Sequence, residues 1–476
     1  MRRSCRLSPW LVACALAATH ARPAGAVDAF VSRIGTANAL AATVTNYGLI
    51  GNNFVNRTAS LEFPAGSGYE HLRLAGLWIG ASATDASGAF VGVTTGELDG
   101  TQGSAAASHT EFSPNGSAFL LRSTSAFSPY YTPDAVSLLD QISFFDDLTP
   151  KRASGSSEDH RPLHVRVRQT THQWTFHELD GALFVRFVVT NLGSALTNVW
   201  LGLYGEFVAV DKSAYASWPP TSGGSAYGSA YGRKWLAWDS GTRTVRAHYC
   251  AASPVPGACL LQRVPPWMGL TLLTPPASGQ AVTVGLHNWN AFDPALDSDL
   301  ERYAFLAAGA VTNPESPPYL PGVGDPLVLL ALGPRPSLAP GDSMEVAFAL
   351  VGAATADSLA LAAQAAQRVR DHGYADPTAG VVSGPGAGRP AALSVVVNPT
   401  GGAPPRLAFS IFERASGRLA LYDPAGRRVW HRSLLGLEPG SYVFEVDGAD
   451  ALAPGLYFAV LAHGSERATA RVVITR

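Results

Sequence analysis

Four histidines, His160, His164, His172 and His177, fall within eighteen residues, beside Glu158 and Asp159. Imidazole and carboxylate at that density can ligate a divalent metal if adjacent antiparallel strands bring His164 and His172 side by side. None of the spacings is that of a zinc signature, so the expectation is solvent-facing histidines on a strand and no metal. Two acidic groups, Asp140 with Asp146 and Asp147, and Asp293 with Asp297 and Asp299, carry oxygens suited to calcium. They lack the regular Asp spacing and the Gly of a calcium loop and read as solvated surface charge.

Catalytic signatures are absent. The chain has no HExxH, no GxSxG, no phosphate-cradling GxxxxGK and no CxxC. Gly341-Asp342-Ser343 has the residues of a nucleophile turn, but it follows Leu338-Ala339-Pro340 and precedes an alternating run from Met344, which is how a turn feeds a strand. The reading is non-enzymatic, with no catalytic residue and no cofactor. The segment 212–238 is the most suggestive for binding. Tyr215, Trp218, Tyr227, Tyr231 and Trp235 stand there in a Gly/Ser/Pro-rich setting, together with Trp238. Exposed rings of this kind stack on sugars or anchor a surface partner; the alternative is a loop folded back over a sheet with its rings buried.

Any site must be positioned by strands. Nearly half of the 476 residues are apolar, 15% are charged, and 48 Gly and 34 Pro punctuate the chain, which suits a strand-and-turn globular protein. In 163–168 apolar and polar residues alternate, and Leu183, Val185, Phe187 and Val189 share one face of the next run. Asp180-Gly181 before that run predicts a two-residue hairpin, with both positions at positive φ. Further strands are expected at 72–79, 119–122, 199–208, 270–273, 281–286 and 344–351. One helix is expected over Ser358–His372 with Asp357 as its N-cap and Gly373 closing it. The fold class that follows is mainly β: a large antiparallel β-sandwich body with one helix, followed by a small sandwich.

The ends of the chain bear on location. Arg2, Arg3 and Arg6, an apolar run over 11–18, and Ala24-Gly25-Ala26 follow the order of a secretory signal over residues 1–26, with signal peptidase cleaving before Val27. Leu11-Val12-Ala13-Cys14 offers the competing reading of a lipid attachment site. Four arginines leave with the leader, so 30 basic residues face 36 acidic ones and the mature charge is near −6. That argues against a nucleic-acid partner. Cys250 and Cys259 remain, bracketing a Pro/Gly-rich segment, and in an oxidising compartment read as one disulfide. A Gly/Pro-rich linker over 376–390 separates the body, 27–375, from a last domain at 391–476.

That last domain carries the most specific pattern. Asn398-Pro399 is followed by Leu421-Tyr422-Asp423, Gly426-Arg427 and Val429, then by Gly440, then by Gly455 and Tyr457 before a final strand. The pattern resembles the type A C-terminal sorting domain of the type IX (Por) secretion system, and is similar to the immunoglobulin-like repeat of flagellar hook-capping proteins. It departs at Val397, where a proline is usual, and at Arg471, where a lysine is usual. The segments 46–52, 63–70 and 76–81 resemble, more weakly, the opening of large uncharacterised secreted bacterial proteins that carry such domains. The resemblance implies an immunoglobulin-like sandwich, passage through the export translocon and the type IX outer-membrane machinery, and a secreted or cell-surface protein. A polysaccharide-binding or polysaccharide-degrading protein using the aromatic segment is the alternative.

Overall fold

The computed structural model describes residues 32–475 apart from 36, 52–57, 98–109, 117–118, 127, 152–157, 177–178, 215–233, 250–263, 289–297, 312–325, 375–391, 396–399, 401–403, 412–416, 435–439 and 464–465. Two nine-stranded sheets, each with antiparallel ladders, build the body. The first runs β1 (Ser32–Gly35), β2 (Ala41–Thr45), β3 (Leu49–Gly51), β5 (Tyr69–Asp85), β12 (Leu196–Asp211), β17 (Pro326–Leu338) and β16 (Ala281–Asn288). To it are added β4 (Leu61–Glu62), which pairs with β2 and β5, and β6 (Gly88–Thr95), which pairs with β5.

The second sheet runs β13 (Lys234–Asp239), β14 (Thr244–Tyr249), β15 (Trp267–Leu272), β18 (Ser343–Ala353), β11 (Ala182–Asn191), β10 (Val165–Gln173), β9 (Leu139–Asp146) and β7 (Ser113–Pro114), with β8 (Leu120–Arg122) on β9. Alternation sorts each strand between two faces. Leu183, Val185, Phe187 and Val189 of β11 and Val346, Phe348 and Leu350 of β18 point inward. There they meet Leu77 and Ile79 of β5, Leu201 and Leu203 of β12, and Leu330 and Leu332 of β17. This is the main core, and the shared face expected for β11 is part of it.

Both outer faces carry a helix. α1 (Asp299–Leu306), which sequence reading did not anticipate, is short but fully capped: Ser298 and Glu301 form a capping box. It lies on the first sheet where strand positions shrink to glycine. A Cβ on Gly80 would meet Leu306 at 2.5 Å, and one on Gly285 would meet the Phe305 ring at 2.4 Å. α2 (Ala356–Asp371) covers the second sheet, burying Leu359, Ala366 and Val369 against Phe184, Ala349 and Val351. Its N-cap is Thr355, two residues before the expected Asp357, because the Thr355 hydroxyl accepts from the Ser358 amide in a capping box. Asp357 sits instead in the first turn, where its charge suits the positive helix end.

The expected two-residue hairpin at Asp180-Gly181 does not form. Residues 174–181 connect β10 to β11, and Gly181 is not among the positive-φ residues. Its glycine serves close approach: a Cβ there would lie 2.3 Å from the Gly352 carbonyl oxygen. Gly341, at φ 84, turns the chain into β18, and the Ser343 hydroxyl that opens the strand shares a 2.8 Å hydrogen bond with Thr190.

The C-terminal region forms its own pair of sheets. One is β19 (Ala392–Val395), β20 (Arg406–Ile411) and β23 (Gly440–Glu445); the other is β22 (Arg428–Leu434), β21 (Gly417–Tyr422), β24 (Gly455–His463) and β25 (Glu466–Ile474). Leu407, Phe409, Leu419, Leu421, Leu461 and Val472 close a separate core between them. No helix among the described residues is long and apolar enough to cross a membrane.

Candidate functional site

Carboxylates and histidines that lie apart in sequence converge in two places. The first is built where β6 and the end of β9 approach α1. Asp147, directly after β9, is fully buried and accepts three hydrogen bonds: from His160 Nε2 at 2.7 Å, from Thr94 Oγ1 at 2.6 Å and from the Leu163 amide at 2.7 Å. His160 Nδ1 faces Glu111 Oε1 at 3.5 Å. Glu111 in turn accepts from the Thr95 amide and hydroxyl at 2.8 and 3.0 Å. Asp299, the first residue of α1, holds buried Arg302 at 2.8 Å and donates its backbone amide to the Glu158 carboxylate. Burial opposes a charge on His160, but the Asp147 bond and charge, with Glu111 and Asp299, push the imidazole up to about 9. Burial pushes Glu111 up to about 7 against the pull of His160 and Arg302.

The second lies at the opposite end of β5, where β4, β5 and β12 meet. Arg73 Nη1 donates to Glu206 Oε2 at 2.6 Å, with both side chains buried. Lys212 pairs with Glu70 at 2.5 Å and donates to the Thr58 carbonyl at 3.0 Å. Glu70 also accepts from the amides of Ser60, at 3.2 Å, and Leu61. Burial raises Glu70 to about 7 although Lys212 and the two amides pull it back. His71, whose Nε2 lies 3.0 Å from the Phe63 carbonyl, is lowered by burial to about 4.

These placements correct the reading of solvated charge. Asp140, Asp146, Asp147 and Asp299 are all buried, and so are His160 and His172. The sequence shows only that these groups are polar; what buries them is the supply of partners from other elements. His164 and His172 do not face each other across a ladder. His172 belongs to β10, while His164 precedes it, exposed, at φ 55. His172 Nδ1 instead meets Asp140 at 2.8 Å. Burial works to raise Asp140, but the His172 bond and charge, the Ser137 hydroxyl and the Val136 amide hold it below the usual carboxylate value. Among the described residues no group of three or more His, Cys, Asp or Glu is placed to hold a metal ion.

Cys250, Cys259, His177, Asp293, Asp297, Tyr215, Trp218, Tyr227, Tyr231, Asn398 and Pro399 lie outside the described residues, as does the linker. The expected aromatic segment, 212–238, enters the described residues again at its end. Residues 234–239 are strand β13, where Trp235 pairs with His248 and Trp238 packs against the main core. Lys212 and Lys234 bound the remainder, and Lys234 donates from a fully buried position to the Phe207 carbonyl. In the C-terminal sandwich the motif residues build a turn. Asp423 accepts from the amides of Ala425 and Arg427 at 3.1 and 2.9 Å and from Arg427 Nε at 3.0 Å, while Gly426 takes φ 79. Leu421 is core, Tyr457 is buried with its hydroxyl donating to the Ala453 carbonyl at 2.8 Å, and Gly440 and Gly455 open strands.

Both clusters are buried, and their titration sets a pH dependence of stability. Glu70 and Glu111 are raised above the ordinary 4.5, so what they contribute is complete below 4.5 and lost as pH rises through about 7. His160 contributes fully below 6.5 and loses this toward 9; His71, lowered, loses its contribution only as pH falls from 6.5 through about 4. The melting temperature is therefore expected to fall by several degrees from pH 6 to pH 9, each proton lost being worth about 1.4 kcal/mol per pH unit. Calorimetry across that interval checks it, and a flat or rising curve would contradict it.

No protein-family model matches the chain, and no curated protein does. Among solved structures, a polysaccharide lyase is 10% identical with a TM-score of 0.24, over 95% of this chain and 47% of the lyase. The chain thus spans about half the length of that protein. A putative aldose 1-epimerase from Escherichia coli K12 is 13% identical with a TM-score of 0.26, over 68% of this chain and 99% of its own. A protein of Synechocystis is 9% identical with a TM-score of 0.29, over 70% and 100%. At these scores none of the three assigns a fold family or an activity.

Proposed function

We propose that the chain is an exported, non-enzymatic surface or extracellular protein, its body delivered by the C-terminal sandwich acting as a sorting module. The observation that carries this reading is the separate core of that sandwich, closed by Leu407, Phe409, Leu419, Leu421, Leu461 and Val472. A unit with its own core and its own turns can be removed or transplanted without opening another. The reading of the body as non-enzymatic draws on its polar clusters being buried within the fold rather than open to a substrate. The alternative, a polysaccharide-binding or polysaccharide-degrading protein, turns on the aromatic segment 212–238.

Deleting residues 391–476 is expected to leave a folded body retained in the periplasm. Fusing that segment to an inert exported reporter is expected to carry the reporter outside a type IX-competent host. Cell fractionation with a melting curve of the truncated body checks both. Surface delivery of the truncated chain would remove the sorting role and leave the sandwich as a structural module.

A further inference from the structure

The outer face of the second sheet is covered by α2 only at one end; at the other it presents guanidinium groups. β10 places Arg166 and Arg168 outward, two residues apart, and the pairing of Thr170 with Arg186 puts Arg186 of β11 one diagonal step from Arg168. Partial burial, then the charges of Arg186 and of Arg122 on β8, a fourth guanidinium, lower the hold of Arg168 on its proton. Two carboxylates partly balance the group: Glu345 takes Nε and Nη2 of Arg186 at 2.8 and 2.6 Å, and Asp146 lies 3.9 Å from Arg166. Arg168 is exposed and has no hydrogen-bond or ion-pair partner among the described residues, and Arg166 Nε is buried with none. Clustering like charges costs energy, Arg168 has no carboxylate to offset it, and the cluster occurs in a chain whose formal net charge is −2.

The geometry points to a binding face for an acidic, uronate-bearing polysaccharide on the outer side of β9, β10 and β11. Guanidinium matches carboxylate in a planar two-bond fork, and the open donors of Arg168 and Arg166, two residues apart on β10, can meet carboxylates that recur along a polymer. The remaining surface suits a sugar more than a phosphate chain. Phe144, opposite Arg168 in the ladder, is 38% exposed and offers a ring face, and Thr190 and Ser343 supply hydroxyls beside Arg166. This inference uses the sheet face alone. It is independent of the export reading and of the aromatic segment.

Affinity electrophoresis of the full chain through polygalacturonate, with neutral dextran as the blank, tests it. Retardation by polygalacturonate that weakens with added salt is expected, with no retardation by dextran. Arg168→Glu is expected to weaken binding at least about tenfold, roughly 1.4 kcal/mol, and Arg168→Lys to lose part of it because the fork is gone. Arg418→Glu on the C-terminal sandwich should bind as the unaltered chain does, and melting curves establish that each variant is folded. The proposal is overturned if the unaltered chain ignores polygalacturonate, or if Arg168→Glu binds undiminished. It is equally overturned if Arg418→Glu loses as much, or if inorganic polyphosphate binds as tightly, since either outcome means unspecific attraction of polyanions.

Discussion

Replacing Asp147 by alanine is expected to destabilise the body by about 3–5 kcal/mol, enough to unfold much of the population at 37 °C. The carboxylate is fully buried and anchors three separate parts of the chain through Thr94, His160 and Leu163. Truncation removes those bonds together and leaves a buried imidazole, a hydroxyl and an amide in want of acceptors. It also takes away the charge that holds His160 protonated. The imidazole should then titrate below its present value of about 9, which histidine resonances in a pH series would follow. Asp147→Asn keeps the shape and one oxygen, and should cost less than alanine. Equal losses for the two variants would show that packing volume, and not the charge, is what the site supplies.

Arg73→Ala is expected to cost a similar amount, about 3–5 kcal/mol, through the carboxylate it strands. Glu206 is 1% exposed and takes the Arg73 guanidinium at 2.6 Å across the β5–β12 ladder. The informative comparison is the double variant Arg73→Met with Glu206→Leu. Buried pairs recover little net energy after desolvation, so an apolar pair of similar size should restore most of what the single change loses. Urea unfolding of the two single variants and the double variant closes the cycle. A double variant as unstable as the sum of the singles would mean that the pair acts through other partners in the same cluster.

Both effects concern residues whose roles were illegible in sequence, and the reason is the same. The strands were legible where one face is core and the other is not: Leu183, Val185, Phe187 and Val189 announce β11 by their spacing alone. Arg73 and Glu206 are separated by 133 positions, and nothing local in either strand tells a buried charge from a solvated one. Asp299 was misread for a related reason. Grouped with Asp293 and Asp297 it looks like surface charge, yet Ser298 and Glu301 around it are a capping box for an eight-residue helix. The end of the aromatic segment is strand β13, which its local sequence does not announce because the pairing partner, β14, follows it. The turn at Asp423–Gly426 was legible because its hydrogen bonds close within five residues.

The order of strands in the two sheets has a kinetic consequence. In the first sheet β12 joins β5, more than a hundred residues upstream, to β17, more than a hundred downstream. In the second, β18 is the strand between β11 and β15, so the two halves of that sheet are not joined until residues 343–353 have been made. Pairings of such separation form slowly, because the entropy of closing long loops is spent before any contact rewards it. A growing chain therefore has neither body sheet complete before β17, at residues 326–338, has been made. The body sheets can close only late, while the residues of the C-terminal sandwich are still being added.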